Sequence, residues 1–311
     1  MLILLCKHIF TSYIVWVHLQ TMISIKPKDI SIGQLHSYLL GAVSPRPIAF
    51  ASTVDNKGNV NLSPFSYFNV FSANPPVMIF SPARRVRNNT TKHTLENVLE
   101  TREVVINIVS YAIVQQMSLS STEYAEGVNE FTKAGFTEVP SDIVKPPRVG
   151  ESPVQFECKV KDVIALGTEG GAGNLIIAEV VKLHIKENIL DSKGIIDPMK
   201  IDTVARMGGN WYSRAKSGIF EVPKPLSTMG IGVDALPDSF LKSTVLTGND
   251  LGMLGNVENL PSEEDVETFV SSSDEYKDLI TSGNIWEIHK KAQEFLQNKN
   301  VMKAWKLLLA K

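Results

Sequence analysis

Asn61, Ser63, Ser66 and Asn69, set among Phe65, Tyr67 and Phe68, are the residues best suited to chemistry, and that chemistry is neutral hydrogen bonding beside aromatic faces. They lie in RPIAFASTVDNKGNVNLSPFSYFNV, Arg46 to Val70, where a returning strand is expected and Val or Ile would be the simpler filling. The parts of titratable catalysis are missing. There is no GxSxG, no HExxH, no Walker loop and no GxGxxG following a strand. Six histidines are scattered without a metal-like pair at helical spacing. The polar strand therefore points to a site that does not depend on titratable groups. The bland alternative is an irregular edge strand whose amides satisfy their own backbone.

A bound cofactor that carries the hard chemistry itself meets that condition, and a flavin is one such group. It needs neutral donors and acceptors at a ring edge, an apolar or aromatic face, and hydroxyls with a cation for a phosphate tail. Asn61, Ser63, Ser66 and Asn69 are of the first kind, and Phe65, Tyr67 and Phe68 of the second. Ser81, Arg84, Lys92 and Thr94, after the next apolar run, are of the third.

The elements that must position these residues follow from periodicity and punctuation. SIGQLHSYLLGAVSPRP predicts a short helix ending near Gly41, with Pro45 and Pro47 preventing its return. Arg46 to Val54 predicts a strand, Asp55 to Gly58 a turn, Asn59 to Phe71 one returning strand, and Pro76 to Pro82 a buried strand. Thr91 is expected to cap a helix from His93 to Thr101, followed by a strand at Arg102 to Ser110 and a helix at Tyr111 to Ser120. From Val154 two long strands flank Thr168 to Gly173, whose glycines suit a hairpin loop better than a phosphate loop because no helix follows. Beyond Pro225 the texture becomes acidic and amphipathic, as in a helical appendage.

SPRPIAFASTVD, NVNLSPFSYFNVFSANPPVMIFSP and VARMGGNWYS, in that order, resemble the flavin reductase-like family of FMN-binding split barrels from about Ser37 to Val222. The resemblance implies a mainly β fold, an FMN-binding split β-barrel of six or a similar number of strands with flanking helices, plus the helical C-terminal appendage. It implies a homodimer holding FMN non-covalently, and a reductase that takes hydride from NADH or NADPH. Position by position, it places Arg46, Ser52 and Thr53 on a first strand facing the flavin and Asn61, Ser63, Phe65, Ser66, Tyr67 and Asn69 along a second. Ser81, Arg84 and Arg85 would stand near the phosphate. Lys92 and Thr94 match a Lys-Asp-Thr helix start, with His93 in place of the family's Asp. Arg206, Gly208 and Tyr212 match the late segment at the cofactor or substrate entrance. His184 stands where related reductases also tend to have histidine, as a nicotinamide or substrate contact or, more simply, as a satisfied barrel histidine.

The domain boundaries expected are residues 1–21 as a leader outside the fold, 22–225 as the split-barrel domain and 226–311 as the helical extension. The leader is apolar but interrupted by Lys7, His8 and His18, and its alternative is a membrane anchor. A net charge of −2 gives no field for nucleic acid or an anionic membrane, and two cysteines form no disulfide framework, so a cytoplasmic setting is expected. The expected partners are a second copy and a flavin-dependent monooxygenase or electron-transfer protein. Two alternatives stay open: an FMN electron carrier of flavoredoxin type without a nicotinamide site, and a barrel module that has lost the cofactor.

Overall fold

The structure, a computed structural model, describes residues 22–226 and 229–310, so the leader expected over residues 1–21 lies outside them. It divides into two compact units, Ile23–Phe220 and a second from Glu221 onward.

In the first unit, α1 (Ile32–Ala42) is opened by Ser31, whose hydroxyl accepts the Gln34 N–H at 3.2 Å, and ends before Pro45. β1 (Ala49–Val54) and β2 (Val60–Phe65) form a hairpin. Its turn is held by the Asp55 carboxylate, which accepts the N–H groups of Lys57 and Asn59, both at 2.8 Å, while Gly58 takes φ +89°. β3 (Phe68–Ala73), β4 (Pro76–Phe80), α2 (His93–Thr101) and β5 (Glu103–Ile108) follow. Then come α3 (Val114–Leu119), α4 (Glu130–Ala134), the short strands β6 (Glu138–Val139) and β7 (Arg148–Val149), and the long hairpin of β8 (Val154–Ala165) and β9 (Asn174–Ile185). α5 (Pro198–Ile201) and the hairpin β10 (Val204–Gly208) and β11 (Trp211–Arg214) close the unit.

Seven strands form one antiparallel sheet in the order β2-β1-β5-β8-β9-β4-β3. The sheet curls, because the rings of Phe65 on β2 and Phe80 on β4 lie 5.5 Å apart although four strands separate β2 from β4 in that order. Ala49, Ala51, Ile106, Cys158 and Ile176 face the same interior, and Leu95 and Val98 of α2 plug it. The opposite face of β1 and β2, with Phe50 and Leu62, is covered by Met117 of α3 and Phe131 of α4. The fold is a split β-barrel, mainly β, with flanking helices.

Two expectations need correction. Asn59 to Phe71 is not one returning strand. It breaks at Ser66 and Tyr67, so that β2 pairs with β1 and β3 pairs with β4 at the far edge of the sheet. The helix N-cap is Lys92, not Thr91, whose hydroxyl bonds the Glu96 carboxylate instead. The expected strand number agrees with the seven strands found, with β10 and β11 as a separate ribbon.

The second unit comprises α6 (Asp238–Leu241), α7 (Gly248–Gly255), α8 (Glu263–Ser271), α9 (Asp274–Thr281), α10 (Ile285–Gln297) and α11 (Val301–Leu309). Thr247 and Asp250 form a reciprocal capping box on α7. Fully buried Trp305 anchors the core, its indole N–H donating to the Leu254 carbonyl at 3.1 Å. No helix among the described residues is long and apolar enough to cross a membrane.

Candidate functional site

The break after β2 turns Tyr67 out of the sheet and leaves its ring on the wall of a cavity of about 500 Å³. Arg84, Arg85 and Lys92, from the loop between β4 and α2, line the same cavity, with Glu123 as their acidic neighbour. Arg84 is fixed by Asn89, donating from Nε to its side-chain oxygen and from Nη2 to its carbonyl, both at 2.6 Å. Arg85 donates to Glu123 at 3.2 Å and to the Thr90 hydroxyl at 3.0 Å. The Lys92 ammonium stands 3.9 Å from Glu123. Burial, reinforced by the charge of Arg85, lowers the Lys92 pKa, and Glu123 only partly opposes this. The cavity is therefore cation-rich.

Beside it, the amide of Ser81 donates to the Tyr67 carbonyl at 2.9 Å, while the Ser81 hydroxyl is buried with no partner among the described residues. A side chain at Gly173 would place Cβ 2.7 Å from that hydroxyl. The glycine-containing β8–β9 loop packs against the Arg84 segment, with Arg84 N–H donating to the Ala172 carbonyl at 2.8 Å and Gly171 N–H to the Arg84 carbonyl at 2.9 Å. Gly170 permits this approach, because a Cβ there would lie 3.0 Å from the Val86 backbone.

Arg46, only 5% exposed, donates from Nη1 to the Leu40 and Val43 carbonyls at the end of α1. Its Nε and Nη2 are buried without partners among the described residues. Burial lowers its pKa, Tyr67 pulls the other way and Arg206 adds to the lowering. Backbone bonds of 2.9 Å in both directions join Arg46 to Arg206. Arg206, Gly208 and Tyr212 line a second cavity of about 740 Å³ with His36, Leu40 and Trp211. Gly208 takes φ +134°, which favours glycine, and its α-carbon side faces the Leu40 carbonyl.

The other predicted residues divide by strand face. Thr53 and Asn61 stand opposite each other on the interior side and are tied to α2. Thr53 accepts from Asn97 at 3.1 Å and Asn61 donates to Thr94 at 2.8 Å. Ser63, half-buried, shares that face, and Phe65 packs in the barrel core. Ser52 faces the opposite side, opposite Leu62, and its buried hydroxyl has no partner among the described residues. Ser66 lies half-buried in the bend, and Asn69 is exposed on the edge strand β3, accepting the Val70 N–H at 2.8 Å.

His184 belongs to a different cluster. Its Nε2 lies 2.7 Å from the carboxylate of fully buried Glu157, which also accepts the N–H groups of Asp142, Ile143 and Val144 at 2.9, 2.6 and 3.1 Å. It lines neither cavity. His36, Glu123 and Asn97 were not singled out by residue type or motif. His36 was findable from α1 spacing, since Ile32, Leu35, His36 and Leu39 share a helical face and line the first cavity together. Glu123 carries no local signal, because a loop brings it to the cations.

The fold defines a split-barrel protein of the flavin reductase class. Residues 41–199 match the flavin reductase like domain, and the chain belongs to that family. A protein of Aquifex aeolicus, itself uncharacterised, is 38% identical over 188 residues, 60% of this chain and 93% of that one. The crystal structure of nitrilotriacetate monooxygenase component B from Bacillus cereus is similar at a TM-score of 0.62 and 29% identity, covering 65% of this chain and 100% of that one. That of 2-nitrobenzoate 2-nitroreductase from Pseudomonas fluorescens gives 0.60 and 25%, covering 68% and 100%.

Proposed function

We propose that the protein is an FMN-binding reductase that takes electrons from NADH or NADPH, works as a homodimer in the cytoplasm, and passes electrons to a flavin-dependent monooxygenase or a small acceptor. The observation that carries this reading is the cavity lined by Arg84, Arg85 and Lys92, with the unpartnered Ser81 hydroxyl beside it. Four cations, Arg84, Arg85, Arg87 and Lys92, with one carboxylate neighbour suit a phosphate, and an orphaned buried hydroxyl suits a ligand oxygen. The residues present therefore fit FMN. The component B likeness favours a monooxygenase as the consumer, and the nitroreductase likeness favours direct use by a small molecule.

When bound, the flavin would supply the redox chemistry. The chain's own groups hold and orient it. Asn89 fixes the Arg84 fork, and Glu123 fixes Arg85 and Lys92, so these cations meet a phosphate with little reorganisation. Tyr67 lines this cavity and couples electrostatically to Arg46. The Asn61–Thr94 and Thr53–Asn97 bonds lock the first hairpin to α2, keeping β2 in register behind the site.

The test is an anaerobic titration of the FMN-loaded protein with NADH and then NADPH, followed by visible absorbance. Bleaching by either donor supports the reductase and names its donor. Persistent flavin bands would leave a carrier awaiting another reductant, and a protein that cannot be loaded with FMN would refute the cofactor assignment.

A further inference from the structure

The β10–β11 hairpin presents two arginines that stack on tyrosines, and among the described residues only one has a counter-ion. On this face Val204 pairs with Arg214 and Arg206 with Tyr212. The Arg214 guanidinium lies 3.9 Å from the Tyr111 ring centroid and forms a two-pronged pair with Asp202, at 2.7 and 2.6 Å. The Arg206 guanidinium lies 4.6 Å from the Tyr212 centroid and donates to the Gly209 carbonyl at 2.7 Å. Among the described residues Arg206 has no carboxylate partner. Stacking and the Gly209 bond fix its plane and leave other N–H groups of the fork for a ligand.

A second positive charge stands behind it. Arg46, joined to Arg206 by backbone bonds, is buried, bonded only to carbonyls, and has no carboxylate partner among the described residues. A buried cation without a counter-ion is costly, and two such neighbours raise the potential of the space they face. Arg206 and Leu40 front the cavity of about 740 Å³, whose exposed Trp211 and half-buried Tyr212 offer aromatic faces.

We propose that Arg206, backed by Arg46, binds an oxyanion, phosphate or carboxylate, on the second substrate of the reductase, with the rest of that substrate in the cavity beside Trp211. The identification of the ligand as a substrate rests on the proposed function; the anion site itself does not. A phosphate source would be the dinucleotide donor, and a carboxylate source an acidic aromatic acceptor.

The test is isothermal titration calorimetry of the full-length protein, as purified, with inorganic pyrophosphate and separately with benzoate. Wild type and the variants Arg206→Gln and Arg206→Lys are compared, with circular dichroism as the folding control. At least one probe binds wild type. Its affinity falls about 10-fold or more in Arg206→Gln and by less in Arg206→Lys, which keeps the charge and loses the fork. Pyrophosphate binding that is lost in Arg206→Gln assigns the donor, and benzoate binding lost in the same variant assigns the acceptor; pyrophosphate binding unchanged in that variant belongs to the first cavity and counts against the site. No binding of either probe, or equal binding by a folded variant, overturns the site. If Arg206→Gln does not fold, the lysine variant decides, because an affinity equal to wild type would remove the fork from the proposal. The absorbance of the same samples after FMN loading reports the cofactor reading separately.

Discussion

Replacing Glu157 by glutamine should loosen the barrel in a pH-dependent way. The carboxylate is fully buried, and burial alone would raise its pKa. The N–H groups of Asp142, Ile143 and Val144, with His184, outweigh this and hold it at about 2 against an ordinary 4.5. At about 1.4 kcal/mol per unit, that depression corresponds to about 3 kcal/mol of stability. Because the folded pKa is the lower one, this contribution is complete above 4.5 and is lost as pH falls from 4.5 through 2. Glutamine keeps the shape, removes the charge and turns an N–H donor toward N–H donors. Amide exchange in β5, β8 and β9, corrected for intrinsic rates, reports the barrel separately from the helical unit. The variant should lose about 3 kcal/mol near neutral pH, and acid unfolding should show the gap closing below about pH 4. A loss under about 0.5 kcal/mol, or a gap unchanged on acidification, would refute the reasoning.

Asn61→Ala leaves the buried Thr94 hydroxyl without its 2.8 Å donor, so urea unfolding should show a loss of about 1–2 kcal/mol. Phosphate-dependent binding at the first cavity should weaken as pH rises through the Lys92 pKa, which burial and Arg85 place below the ordinary 10.5. Lys92→Met should abolish that step in an FMN titration across alkaline pH. Trp305→Ala empties a fully buried site and removes the bond to Leu254, costing about 3–5 kcal/mol in exchange protection of α7 and α11.

The parts of the fold legible in the sequence were those with a local cause. Pro45 and Pro47 ended α1, Gly58 marked the first hairpin, and the apolar runs of β4, β8 and β9 announced themselves. The break at Ser66 and Tyr67 was not legible, because β2 and β3 are nearly continuous in sequence and are assigned to opposite sheet edges only by long-range pairing with β1 and β4. The polar residues from Asn61 to Asn69 accordingly have several destinations. Asn61 braces α2, Tyr67 reaches the cation-rich cavity, and Asn69 is exposed at the edge. Arg84 and Lys92 could be singled out by charge after a strand, whereas Glu123, which pairs with Arg85 and Lys92, is brought in by a loop and leaves no pattern. Likewise Glu157 reads as an ordinary strand residue until three backbone N–H groups from residues 142–144 converge on it.

The most direct test of the central claim is a paired fluorescence titration of the protein with FMN and with riboflavin, which differ by the phosphate alone. The structure predicts saturable FMN binding and riboflavin binding weaker by about 100-fold, since Arg84, Arg85 and Lys92 would lose their anion. Equal affinities would contradict the assignment of that cavity to the phosphate, and no binding of either would contradict the flavin site itself.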